Sequence, residues 1–214
     1  MCCYQMFFII FALMENNLLN TESWSENVII IDAECIDNTA FHLTVNFERM
    51  LERRIPKADF AHWLDCIALD GGIREGENNI QVILLHDKKS KQLNNFTPSN
   101  FEEELNQKAF KDHLGEFVIS SFPYEEIVEK DALFTDITST ICNHANVKRV
   151  MIIPNHEKEA LWNDLRMALN RVDDENKKIT LFAMQPMPGG NFKQEILGYS
   201  LMSALGIKGS ELKD

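Results

Sequence analysis

The run Val28-Ile29-Ile30-Ile31 passes directly into Asp32-Ala33-Glu34-Cys35, and no other stretch limits the possible folds as tightly. β-Branched residues at consecutive positions favour extended backbone. An apolar side chain at every position, rather than every second one, requires burial on both faces of the strand. Strands of that kind belong to parallel sheets covered by helices on both sides. Asp32 then falls at the strand's carboxyl end, the edge where open α/β sheets place ligands. The stretch implies a fold class and a candidate site, and by itself no reaction.

Further strands are expected at Ile80–His86, Glu116–Ser121, Val147–Ile153 and Ile179–Met184, each an apolar run bounded by turn residues. Helical spacing fills the intervals. Asn38 can cap a helix through about Arg53, and Pro56 separates it from a second helix carrying Phe60, Trp63, Leu64 and Ile67, ended by Gly71-Gly72. Thr97-Pro98-Ser99 with Glu102 and Glu103 reads as a helix start. Ile127 to Ile141, Glu157 to Arg171 and about Lys193 to Leu205 complete the set. The alternation predicts one α/β domain over residues 27–214, a three-layer sandwich whose mostly parallel, wound sheet has about five strands. Residues 1–26 read as an N-terminal extension. Their apolar part, residues 1–13, has no Lys or Arg and falls short of the roughly 20 apolar residues that span a bilayer, so no membrane role is expected.

Composition narrows the setting. Lys and Arg total 21 against 33 Asp and Glu, a net charge of −12, which disfavours broad binding to phosphate backbones. Five cysteines without a Cys-x-x-Cys pair suit reduced thiols, hence a cytoplasmic protein. No Gly-x-Gly-x-x-Gly follows the first strand, and no Gly-x-x-x-x-Gly-Lys-Ser/Thr loop occurs anywhere, which argues against dinucleotide and nucleoside-triphosphate sites.

Right-handed crossovers bring all the strand carboxyl ends to one edge. Asp32 and Glu34 from the first strand, His86 and Asp87 from the second, and Asn155, His156 and Glu157 from the fourth should converge there, with Asp131 and Asp136 from the helix before it. Carboxylates gathered in this way repel unless they share a cation or a proton, and Mg²⁺ takes oxygen ligands of this type. The alternative is that Asp32 alone faces the edge and the others are solvated cap residues. Cys35, flanked by acids, reads as a buried structural thiol rather than a nucleophile.

This layout resembles the PIN-like nuclease group, and within it the NYN branch. Ile31-Asp32-Ala33-Glu34-Cys35 is similar to that branch's Ile-Asp-Gly-Glu-Asn motif, and Glu129-Lys130-Asp131-Ala132-Leu133 to its Lys-Gly-Val-Asp helix start, with Asp136 further on. Where the branch ends its fourth strand in Ser-Gly-Asp-x-Asp-Phe, this chain has Ile153-Pro154-Asn155-His156-Glu157-Lys158. For intact members the resemblance implies Mg²⁺-dependent RNA hydrolysis. It assigns catalysis to Asp32, Asp131, Asp136 and Glu157, and metal binding to Asp32, Glu34, Asp131 and Asp136. The altered third motif leaves a second expectation, a binding or scaffolding module that keeps the fold without the metal, with no cofactor. The chain also resembles a small bacterial family, and that resemblance supplies no activity. The apolar excess over residues 186–205, around Met187, Phe192 and Tyr199, reads either as a homodimer or partner surface or as a helix locking the sheet's edge.

Overall fold

The computed structural model describes residues 24–124, 129–172 and 176–212. In chain order its strands are β1 (Asn27–Asp32), β2 (Ala58–Asp59), β3 (Asn78–His86), β4 (Phe96–Thr97), β5 (Lys108–Lys111), β6 (Gly115–Pro123), β7 (Arg149–Ile153), β8 (Lys178–Ala183) and β9 (Lys193–Ile196). The α-helices are α1 (Ala33–Leu51), α2 (Phe60–Asp70), α3 (Lys130–Cys142), α4 (Glu159–Leu169) and α5 (Leu197–Ala204). Seven strands form one sheet in the order β5-β6-β3-β1-β7-β8-β9, and β2 and β4 form a separate two-stranded pair.

β1 lies at the centre, parallel to β3 on one side and to β7 on the other. Among the described strands of this sheet, β5 alone runs antiparallel, at the edge beside β6. Numbered by their order in the chain, the six parallel strands cross the sheet as 3-2-1-4-5-6, the doubly wound arrangement whose direction reverses between β1 and β7. Successive side chains on a strand point to opposite faces, and the core divides accordingly. Ile29 and Ile31 pack under α1, α2 and α5 with Val82, Leu84, Met151 and Ile153. Val28 and Ile30 pack under α3 and α4 with Ile83, Leu85, Val150 and Ile152. All four β1 side chains are fully buried. At about 1.5–3 kcal/mol each, their burial rivals the whole net stability of a typical domain.

The strand count of about five rises to seven, because β5 and β9 are short edge strands whose polar residues hide the pattern. The last segment is β9 followed at once by α5, not a single helix from Lys193. Helix α1 starts five residues before Asn38, since Asp32 is its N-cap. The expected helix after Thr97 is a five-residue π-helical turn, Phe101–Leu105, capped by the Asn100 side chain. Trp24 is buried in the core layer beneath α3 and α4, so packing reaches ahead of residue 27. Met187 and Phe192 are not presented outward. They pack on the chain's own core, and Trp162 donates its indole N–H to the Pro188 carbonyl at 3.0 Å. Residues 1–23 and 125–128, which include Cys2, Cys3, Ile127 and Val128, lie outside the described residues.

Candidate functional site

Asp32 ends β1 and starts α1 without an intervening loop. Its backbone is extended (φ −82°, ψ 108°), and its Oδ1 accepts the Cys35 amide N–H at 3.0 Å, the geometry of an Asp N-cap. Glu34 follows in the first turn, where the helix dipole favours acids. The positive end of α1, which in a nucleotide-binding βα unit would receive a phosphate, is thus already filled by carboxylates.

Asp32 is only 1% exposed, and its charge is met from across the sheet edge. Lys130, the first residue of α3, brings its Nζ to 2.9 Å from Glu34 Oε2 and 3.4 Å from both Asp32 Oδ2 and Asp87 Oδ1. The second Glu34 oxygen accepts the Asp87 amide N–H at 2.8 Å, tying the end of β3 to the start of α1. Burial alone would lower the pKa of the Lys130 ammonium, but the surrounding carboxylates outweigh it and hold the pKa above the ordinary lysine value. Burial raises the Asp32 pKa, opposed by Lys130 and the Cys35 amide. One ammonium thus takes the central position among three carboxylates.

The Lys130 ammonium also stands 4.7 Å from the ring centroid of Tyr124, within cation–π range. Tyr124 follows β6 and is held by its amide N–H on the His86 carbonyl at 2.8 Å. It is 6% exposed, yet its hydroxyl has no hydrogen-bond partner among the described residues. Burial, and then the charges of Asp32, Glu34, Asp87 and Asp131, push the phenol pKa well above its usual value, so it stays neutral. An unpartnered buried hydroxyl costs stability. Tyr124→Phe should therefore stabilise the protein by about 1 kcal/mol in urea melts. A loss of stability would reveal a partner for the hydroxyl.

Between β1 and β7, where the winding reverses, Cys35 Sγ lies 3.2 Å from His156 Nδ1. Burial, with smaller contributions from Asp32 and Glu157, pushes the Cys35 thiol up to about 12. Burial lowers the His156 imidazole as well, so both partners are neutral at physiological pH. The arrangement fits a structural thiol and does not supply a thiolate.

The remaining sequence-derived residues are elsewhere. Both Asp131 oxygens engage Lys158 Nζ, at 2.8 and 2.9 Å, linking α3 to the N-cap of α4. Asp136 stands further along α3, outside the Lys130 cluster, where burial raises its carboxyl. Glu157 is exposed in the turn after β7, its amide on Asn155 Oδ1 at 3.2 Å. The edge therefore gathers Asp32, Glu34 and Asp87, without Asp131, Asp136 and Glu157 in the same cluster. Among the described residues, no three or more His, Cys, Asp or Glu are grouped so as to hold a metal ion. The Mg²⁺ site expected on Asp32, Glu34, Asp131 and Asp136 does not fit this arrangement: a lysine ammonium takes the cation's place, and Asp131 is committed to Lys158.

Lys130 and Tyr124 carry the site's electrostatics and were not among the residues expected from sequence. A lysine at the start of a helix, where the dipole disfavours it, was the available signal for Lys130. No helix among the described residues is long and apolar enough to cross a membrane. The chain matches no curated protein and no solved structure. The model of the family of unknown function DUF6621 matches residues 21–212, from ahead of β1 to beyond α5, and the chain belongs to that family.

Proposed function

We propose that this protein is a cytoplasmic, non-catalytic binding or scaffolding module, with a PIN/NYN-like core whose edge acids are neutralised by a lysine instead of a metal ion. The observation that carries this reading is the position of Lys130 Nζ, within 3.4 Å of Asp32, Glu34 and Asp87. The acid-filled start of α1 and the net charge of −12 both oppose a phosphate-backbone ligand. Cys35, Cys66 and Cys142 are free thiols, in keeping with a reducing compartment. A homodimer or protein partner engaging residues 186–205 belongs to the same reading. It is supported by the edge position of β9 and by Tyr199, which is 73% exposed on α5.

The second reading, a Mg²⁺-dependent nuclease or phosphodiesterase, is favoured by one feature: three carboxylates already share a single cation at the strand carboxyl ends. An RNA-cleavage assay with Mg²⁺ or Mn²⁺ separates the two. The binding-module reading expects no cleavage by the wild type above that of Asp32→Asn. Metal-dependent cleavage that Asp32→Asn abolishes would overturn it.

A further inference from the structure

The sheet has two edges, and they differ in what they offer a second copy of the chain. An edge strand presents unpaired backbone N–H and C=O groups, a ready template for another strand, and lysines along it discourage such pairing. β5 forms one edge as Lys108-Ala109-Phe110-Lys111. It has two lysines and no acid, so no antiparallel pairing of two copies of this strand sets opposite charges against each other.

β9, Lys193-Gln194-Glu195-Ile196, forms the other edge, and no strand lies beyond it among the described residues. Its lysine and its glutamate are two positions apart, hence on one face of the sheet. Lys193 Nζ pairs with Glu195 and donates to the Asp70 carbonyl at 3.2 Å, which places both on the α2 side. Their side chains remain 60% and 30% exposed. The chain beyond α5 is held at the end of α1, where Arg53 bonds the Gly206 carbonyl and both Glu211 carboxylate oxygens.

Antiparallel pairing of two such strands about a two-fold axis at Gln194 sets Lys193 of each copy opposite Glu195 of the other. The same axis keeps α5 of both copies on one side of the joined sheet, where Tyr199, 73% exposed, adds aromatic surface. We infer that β9 is a self-association edge, through which two copies of the chain join into one continuous sheet, with Lys193 and Glu195 selecting the partner. The inference rests on the binding-module reading and commits its partner surface to a second copy.

Sedimentation and light scattering of the full chain test this. The expected species has twice the chain mass of 24.7 kDa. Glu195→Lys sets lysine opposite lysine, Lys193→Glu sets glutamate opposite glutamate, and each should weaken the dimer by about tenfold or more. Mixed in equal amounts, the two variants should form a heterodimer, since every facing pair then carries opposite charges. Within each variant chain residues 193 and 195 still repel, so recovery on mixing reports contacts between copies and not the shape of β9. A wild type with the mass of one chain at every concentration would overturn the inference and leave the edge to a different protein. Variants that keep full dimer affinity, or a mixture that stays monomeric, would overturn it as well. None of these outcomes bears on RNA cleavage, so this inference can fail while the binding-module reading stands.

Discussion

Lys130→Ala should destabilise the protein by about 3 kcal/mol at neutral pH, among the larger effects expected of any single charged residue in this chain. The loss does not measure the worth of an ion pair in isolation. It comes from leaving Asp32, which is 1% exposed, with a buried charge that nothing neutralises. The value is placed at the low end because Lys130 keeps 23% of its side chain in solvent.

The pH dependence supplies a check on the cause. Without Lys130, burial raises the Asp32 pKa further, and an acid whose folded pKa is raised loses stability as pH rises through it. The deficit of Lys130→Ala should therefore be largest above the raised Asp32 pKa and shrink as pH falls through it, where Asp32 takes up a proton. Asp32→Asn keeps the cap oxygen for the Cys35 amide and removes the charge. Added to Lys130→Ala, it should recover roughly 1–3 kcal/mol, a coupling that urea melts of the double-mutant cycle measure directly. Additive losses would show that Lys130 stabilises α3 for reasons unrelated to Asp32.

The second large effect lies away from the site. Asp65 on α2 and Asp112 in the turn between β5 and β6 interact as a carboxyl pair, and Asp65 Oδ1 and Asp112 Oδ2 are buried without other hydrogen-bond partners. Burial, followed by the hydrogen bond and charge of Asp112 and the more distant charge of Asp59, raises Asp65 to about 7. Burial would also raise Asp112. The proton on Asp65, the amides of Leu114 and Gly115, and nearby His113 outweigh that and hold it below the usual value.

The signs are opposite. The Asp65 contribution is fully present at low pH and is lost as pH rises through about 7, whereas that of Asp112 is lost only as pH falls below its depressed pKa. Stability should therefore fall as pH rises from about 4 to about 7.5, by about 2 kcal/mol once discounted for the partial exposure of Asp65. Asp65→Asn places a permanent N–H donor opposite Asp112, so it should flatten this slope and stabilise the protein at the alkaline end. A slope unchanged by Asp65→Asn would assign the titration to another group.

The legible part of the fold was the part whose cause is local. A run of β-branched residues favours a doubly buried strand, and the alternation of Val28 and Ile30 with Ile29 and Ile31 between two faces follows from the geometry of extended backbone. The edge strands were not legible for the complementary reason. Lys108-Ala109-Phe110-Lys111 and Lys193-Gln194-Glu195-Ile196 bury little, so they carry no apolar pattern and exist only because β6 and β8 offer them partners. The start of α1 departs from the Asn38 cap expected from sequence because Asp32, the last residue of β1, is itself the helix cap.

At the site, convergence of Asp32, Glu34 and Asp87 followed from topology, since parallel strands end at one edge. The cation they share did not. Lys130 stands 96 positions from Glu34 in the chain, and no spacing rule connects residues so far apart. Likewise, nothing local distinguishes Asp131, which engages Lys158, from a carboxylate free to bind a metal.

The claim at the centre is that Lys130 is the resident cation of this cluster. Thermal melting with Mn²⁺ in the wild type and in Lys130→Ala tests it most directly. Because a ligand that binds only the folded state raises Tm, the wild type should melt independently of Mn²⁺. Lys130→Ala should also melt independently of Mn²⁺, because Asp32, Glu34 and Asp87 are not grouped so as to hold a metal ion. A saturable rise in the wild type that Asp32→Asn abolishes would contradict the claim.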